Sequence, residues 1–237
     1  MSLADAIESQ DRTAIKEILK KDPYGELGAL GLNIALESKD TEMVKFIKQY
    51  TRDKQNTLHR AIKNGYIKVI DYELSRGLAI GRAADIAATV GNREVIKHLE
   101  GVLHKYYVPK DFYLFYDEVL DGALSANDLG LVKYAIKNGA TIVESDIYIA
   151  IDTLRPKMLE YLLYKSGIKP DSNMIYKAIG SFSPQMVLIL LENGARPVKQ
   201  HLDRAISLGN HMYNNGEETK EIDEIIRLLK TNKLEKL

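Results

Sequence analysis

The stretch Asn56-Thr57-Leu58-His59-Arg60-Ala61-Ile62-Lys63-Asn64-Gly65-Tyr66-Ile67-Lys68-Val69-Ile70 decides the fold class. Leu58, Ala61 and Ile62 are spaced to share one side of a helix with 3.6 residues per turn. Lys63-Asn64-Gly65 interrupts that helix with a turn, and Ile70 belongs to a second amphipathic helix running back along the first. Alanine is the smallest residue of the stripe. It lets two helix backbones approach where leucine would hold them apart.

The same register recurs in both directions. The alanines Ala6, Ala35, Ala61, Ala87, Ala123, Ala150, Ala178 and Ala205 follow one another at steps of 29, 26, 26, 36, 27, 28 and 27. Three residues before each stand Leu3, Leu32, Leu58, Ala84, Leu120, Ile147, Ile175 and Leu202, and immediately after come Ile7, Leu36, Ile62, Ala88, Leu124, Ile151, Ile179 and Ile206. Nine residues on lie Ile15, Val44, Ile70, Ile96, Val132, Leu159 and Val187. Three further are Ile18, Ile47, Leu99, Ala135, Leu162 and Leu190, with Glu73 as the departure. A fixed period of this size predicts stacked units, each burying its apolar face against its neighbours. Glycines in Val90-Gly91-Asn92, Asn138-Gly139-Ala140 and Asn193-Gly194-Ala195 predict the turns and left-handed helix ends.

The 56–70 stretch resembles the ankyrin repeat, with its Thr-Pro-Leu-His-x-Ala opening, glycine turn and aliphatic second helix; Thr57 stands in place of the proline. Asn138-Gly139-Ala140 and Glu192-Asn193-Gly194-Ala195-Arg196-Pro197 resemble the end of that repeat. The resemblance spans about Leu3 to Leu229 and implies an all-α, ankyrin-like helix-turn-helix repeat solenoid of about eight units. Most copies are about six residues shorter than the ~33 of an ankyrin unit, so trimmed loops are expected. Short divergent copies are similar to those of large DNA viruses. The resemblance further implies that the first helices line a concave, partner-facing side and that the work is non-catalytic protein binding.

Two segments break the period. Between Ala87 and Ala123 the step grows to 36, and Tyr106, Tyr107, Phe112, Tyr113, Phe115 and Tyr116 supply six of the chain's 18 aromatic residues. This divides the chain into repeats 1–4 (1–100), an aromatic insert or hinge (101–115) and repeats 5–8 with a capping helix (116–237). The rings either seal a hinge over uncovered core or form a binding hot spot. The second irregularity, His211 to Lys220, reads as a polar insertion between the last two helices, the final one running from Glu221 to Leu229.

Charge is balanced, with 33 acidic and 33 basic residues, which argues against generic nucleic-acid binding. Lys97, Lys105, Lys110, Lys133 and Lys137 are the stripe that a local polyanion site would use. No apolar run is long enough for a membrane span. Met1-Ser2-Leu3-Ala4-Asp5 enters the first repeat at once, leaving no signal peptide, and cysteine is absent. An intracellular location is expected: the cytoplasm, or the host-cell cytoplasm for a viral protein.

Chemistry-bearing patterns are thin. The histidines offer no zinc-binding pair on one helix face. Glu94 and His98 fit a surface ion pair or, less readily, a shared metal. Gly25-Glu26-Leu27-Gly28-Ala29-Leu30-Gly31 lacks the preceding strand and the Lys or Ser/Thr of a phosphate cradle, and reads as an inter-repeat loop. No enzyme and no cofactor are expected. The binding rail is expected two and three residues past the alanines, at Glu37, Lys63, Asn64, Thr89, Ser125, Asp152, Thr153 and Ser181. The aromatic candidates are Tyr106, Tyr107, Phe112 and Tyr113. These point to a protein partner of unknown identity, with a monomer expected. Self-assembly through the aromatic insert and nucleic-acid binding through lysines are the alternatives.

Overall fold

The computed structural model describes residues 1–22, 25–51, 54–106 and 109–231, with backbone only at 54, 55, 109 and 110. Among them the fold is all-α, with sixteen helices and no β-strand. They follow in pairs: α1 (Leu3–Glu8) with α2 (Arg12–Lys20), α3 (Glu26–Glu37) with α4 (Thr41–Tyr50), and α5 (Lys54–Asn64) with α6 (Ile67–Ser75). Next come α7 (Ile80–Thr89) with α8 (Arg93–Tyr106), α9 (Pro109–Ser125) with α10 (Leu129–Lys137), and α11 (Glu144–Asp152) with α12 (Pro156–Ser166). The last are α13 (Ser172–Gly180) with α14 (Pro184–Glu192), and α15 (Lys199–Asn214) with α16 (Lys220–Thr231). The eight repeat alanines occupy the eight odd-numbered helices, each 0 % exposed.

A shared turn explains the pairing. In seven pairs the residue four past the alanine is left-handed: Gln10, Lys39, Gly65, Gly91, Asn127, Leu154 and Phe182, with φ between 51° and 73°. The next residue's N–H then donates back to the alanine carbonyl, over 2.8–3.5 Å. That residue is often Asp, Asn or Ser, and its side chain caps the second helix. Asp11 accepts from Ala14 N–H, Asp40 from Met43, Asn92 from Val95, Asp128 from Leu131 and Ser183 from Met186. The left-handed conformation costs a non-glycine residue roughly 1–2 kcal/mol. The cap and the carbonyl bond, each a ~1 kcal/mol contribution, offset it.

The chain forms two compact units, the first ending at Ala140 and the second beginning at Thr141. In the first, α1, α3, α5, α7 and α9 pack in series, each also against its own second helix. The tightest approach is at Gly122 of α9, where a Cβ would overlap the Asp85 carbonyl oxygen and lie 2.7 Å from Ala88 Cβ. In the second unit α11, α13 and α15 pack in series, as do α12, α14 and α16. Each unit's core therefore grows by repetition, from Leu32, Ile47, Ile70 and Leu99 in the first and Ile147, Leu162, Ile175 and Leu190 in the second, all buried.

Helices reach into the segments read as aromatic insert, inter-repeat loop and polar insertion. Within 101–115, helix is found on both sides of residues 107 and 108, which lie outside the described residues. Residues up to Tyr106 extend α8 and those from Pro109 open α9. Leu103, 0 % exposed, continues the stripe of Ile96 and Leu99, and Phe115, Tyr116 and Val119 begin that of α9. Glycines 28 and 31 lie inside α3, where only small residues clear Thr51 and Leu3; Asp22 caps that helix through Glu26 and Gly28 N–H. His211 to Asn214 belong to α15, and the final helix starts at Lys220.

Candidate interaction surface

The aromatic segment splits by face. Phe115 and Tyr116 are buried, in edge-to-face contact with ring centroids 5.2 Å apart, and Tyr116 also meets Tyr134 edge-on. Tyr134 donates to Glu100. Burial, followed by the Glu100 charge, pushes the Tyr116 phenol up to about 12; burial, followed by the hydrogen bond to Glu100, holds the Tyr134 phenol well above its ordinary value. These two rings form a locked seam between α8, α9 and α10. Phe112 is half-buried against the His104 ring. Tyr106, Tyr113 and Leu114 face outward, 68 %, 60 % and 65 % exposed. Tyr107 lies outside the described residues.

The expected rail is solvent-facing but largely engaged with itself. Glu37 accepts from Asn33, Asn64 donates to the Arg60 carbonyl, Thr153 to the Ile149 carbonyl, and Ser181 to the Lys177 carbonyl. Thr89 reaches Asp85, and the Lys63 carbonyl accepts from Asn92. Exposed Ser125 ends α9. These groups cap the ends of first helices, a structural task that exposure alone does not reveal. Asp152 differs, pairing across repeats with Lys177 at 2.5 Å.

That pair belongs to a ladder the sequence reading overlooked. Two residues before the alanines of α11 and α13 stand Tyr148 and Tyr176, and one before those of α13 and α15 stand Lys177 and Arg204. Lys177 lies over the Tyr148 ring at 5.4 Å, and Arg204 over Tyr176 at 3.9 Å while donating to its hydroxyl. Each contact joins consecutive repeats, and cation–π pairs of this kind contribute ~0.5–1 kcal/mol at exposed sites.

Four residues before the alanine, the buried polar residues Thr57, Asp146 and His201 interrupt an otherwise apolar turn. Asp146 accepts from Val143 N–H and His201 Nδ1 from Val198 N–H. His201 Nε2 lies 3.0 Å from the Ser172 carbonyl, which fixes the neutral, Nε2-protonated tautomer. Burial holds its pKa below the ordinary value. A polar residue recurring in that column is the signal that would have found them.

Among the described residues no group of three His, Asp or Glu side chains is placed to hold a metal ion. His98 pairs with Asp71 of α6 at 2.7 Å and not with Glu94. Glu118 is raised by burial and by Asp85, Asp121 and Asp117 around it. No helix of the described residues is long and apolar enough to cross a membrane. No family model, curated protein or solved structure matches the chain.

Proposed function

We propose that this chain is an ankyrin-like repeat solenoid that binds another protein inside the cell, as adaptor or inhibitor, without catalysis. Eight alanine-centred helix pairs, seven of them sharing one turn geometry, support the repeat reading. The binding reading is carried by one observation: Tyr106, Tyr113 and Leu114 stand more than half exposed around the end of α8 and the start of α9. Large exposed aromatic and aliphatic side chains cost solvation, and they serve as anchors when a partner covers them. A stacked scaffold presents them with little ordering cost.

The test compares the parent with a Tyr106→Ser/Tyr113→Ser/Leu114→Ser variant of equal helicity. Affinity capture from lysate should recover a protein that the variant loses, with both chains sedimenting as monomers. Capture of the same protein by both would refute the anchor role. A concentration-dependent mass for the parent alone would assign the patch to self-assembly.

A further inference from the structure

The Glu73 departure has a structural consequence. Its counterparts Ile47 and Leu99 are fully buried. Glu73 turns instead to α4 and pairs with Lys48 at 3.0 Å, while Lys48 lies over the Tyr72 ring. An open cleft of about 820 Å³ remains, with Leu74 and Val102 as apolar lining and Lys97, His98, Lys105 and Tyr106 along α8.

Its charges are unevenly satisfied. Asp71 is held by His98. Among the described residues neither Lys97 nor Lys105 has a carboxylate within ion-pair distance, and both are exposed. Eight residues apart on α8, they are separated by about 12 Å along the helix axis. Between them Gly101 faces open space, with no atom within 4 Å of where a Cβ would sit. Packing does not call for glycine there, and in mid-helix it costs about 0.5–1 kcal/mol against alanine. A bare backbone at the cleft's midpoint admits a chain at close range.

We propose that this cleft binds an acidic segment of the partner, with one carboxylate on Lys97, another on Lys105, and an apolar side chain between them on Leu74 and Val102. The assignment rests on the protein-binding reading above and names the chemistry of the partner. An extended segment rises about 3.4 Å per residue, so acidic residues four apart span the two lysines. Tyr106, one of the exposed aromatic residues, also lines the cleft.

The experiment uses fluorescence anisotropy of the full chain with a fluorescein-labelled Glu-Ala-Leu-Ala-Glu peptide and its Gln-Ala-Leu-Ala-Gln counterpart. The acidic peptide should bind saturably, and the Gln form about tenfold more weakly. Lys97→Glu/Lys105→Glu should weaken the acidic peptide by at least about tenfold with helicity unchanged. Gly101→Ala should weaken it while raising the melting temperature, a split that a purely structural glycine would not give. No binding of the acidic peptide, equal binding of the Gln form, or indifference to the lysine reversal overturns the proposal. Displacement by an oligothymidylate also overturns it, making the cleft a nucleic-acid site. A partner captured by Lys97→Glu/Lys105→Glu but lost with Tyr113→Ser/Leu114→Ser would remove the cleft and leave the protein-binding reading standing.

Discussion

The same substitution at two helical glycines should move stability in opposite directions. At Gly122 an added Cβ meets the Asp85 carbonyl oxygen, Ala88 Cβ at 2.7 Å and Thr89 N at 3.0 Å. Two of those atoms are backbone, so no rotamer change relieves them and α7 must move away from α9. Overpacking of this kind costs about 1–3 kcal/mol, and rigid neighbours put the value at the upper end. Alanine recovers about 0.5–1 kcal/mol of helix propensity, leaving Gly122→Ala destabilised by about 2 kcal/mol. For a chain of this length that lowers the melting temperature by about 4–8 °C. At Gly101 the Cβ meets nothing, and Gly101→Ala keeps only the propensity gain, a rise of about 1–4 °C. Because the propensity term is common to both, their difference isolates the steric cost at the α7–α9 contact. The chain has no tryptophan, so the assay is circular dichroism at 222 nm, with amide exchange of α7 and α9 as the local readout. A Gly122→Ala chain melting at or above the parent would refute the close approach.

Ala61, fully buried on α5, should tolerate leucine no better: Ala61→Leu costs about 1–3 kcal/mol, and an unchanged melt would reject the repeat register. His201 is held below its ordinary pKa by burial. The unfolded chain therefore takes up more protons than the folded one as pH falls below about 6.5. Stability of the second unit should drop over that range, and His201→Gln should flatten the slope; a parallel slope in the variant would reject the assignment. Glu118 has the opposite sign. Its raised pKa means the folded state binds the proton more readily, so its penalty is present at neutral pH and fades on acidification. Glu118→Gln should raise the melting temperature at pH 7 and lose the advantage near pH 4. An advantage independent of pH would point to packing.

Much of the fold was legible because its causes are local. Leu58, Ala61 and Ile62 define a buried helix face by spacing alone, and Gly65 and Gly91 mark turns at φ of 71° and 73°. The same turn at Lys39, Leu154 and Phe182 carries no glycine signal. Asp40 and Ser183, which follow Lys39 and Phe182, supply caps that offset the strain, while Arg155 after Leu154 supplies none; that column was legible though unread. Within the aromatic segment the buried stripe, Leu103 then Phe115 and Val119, is interrupted by outward Tyr106 and Tyr113, which hides its helical period. Asn64, Thr153 and Ser181 turn back on their own helices, and composition cannot tell a cap from a contact.

The sequence by itself determined the helix pairs, their alanine-centred cores and the turns between them, since each depends on residues within one period of about 27. Only the tertiary structure decided what those pairs leave uncovered. Tyr113 lies outside while Phe115 lies inside, His98 answers Asp71 and not Glu94, and a cleft lies open beside α8. Burial along one helix follows from its own periodicity. Exposure, pairing and clefts depend on which neighbour stands opposite and how closely it approaches.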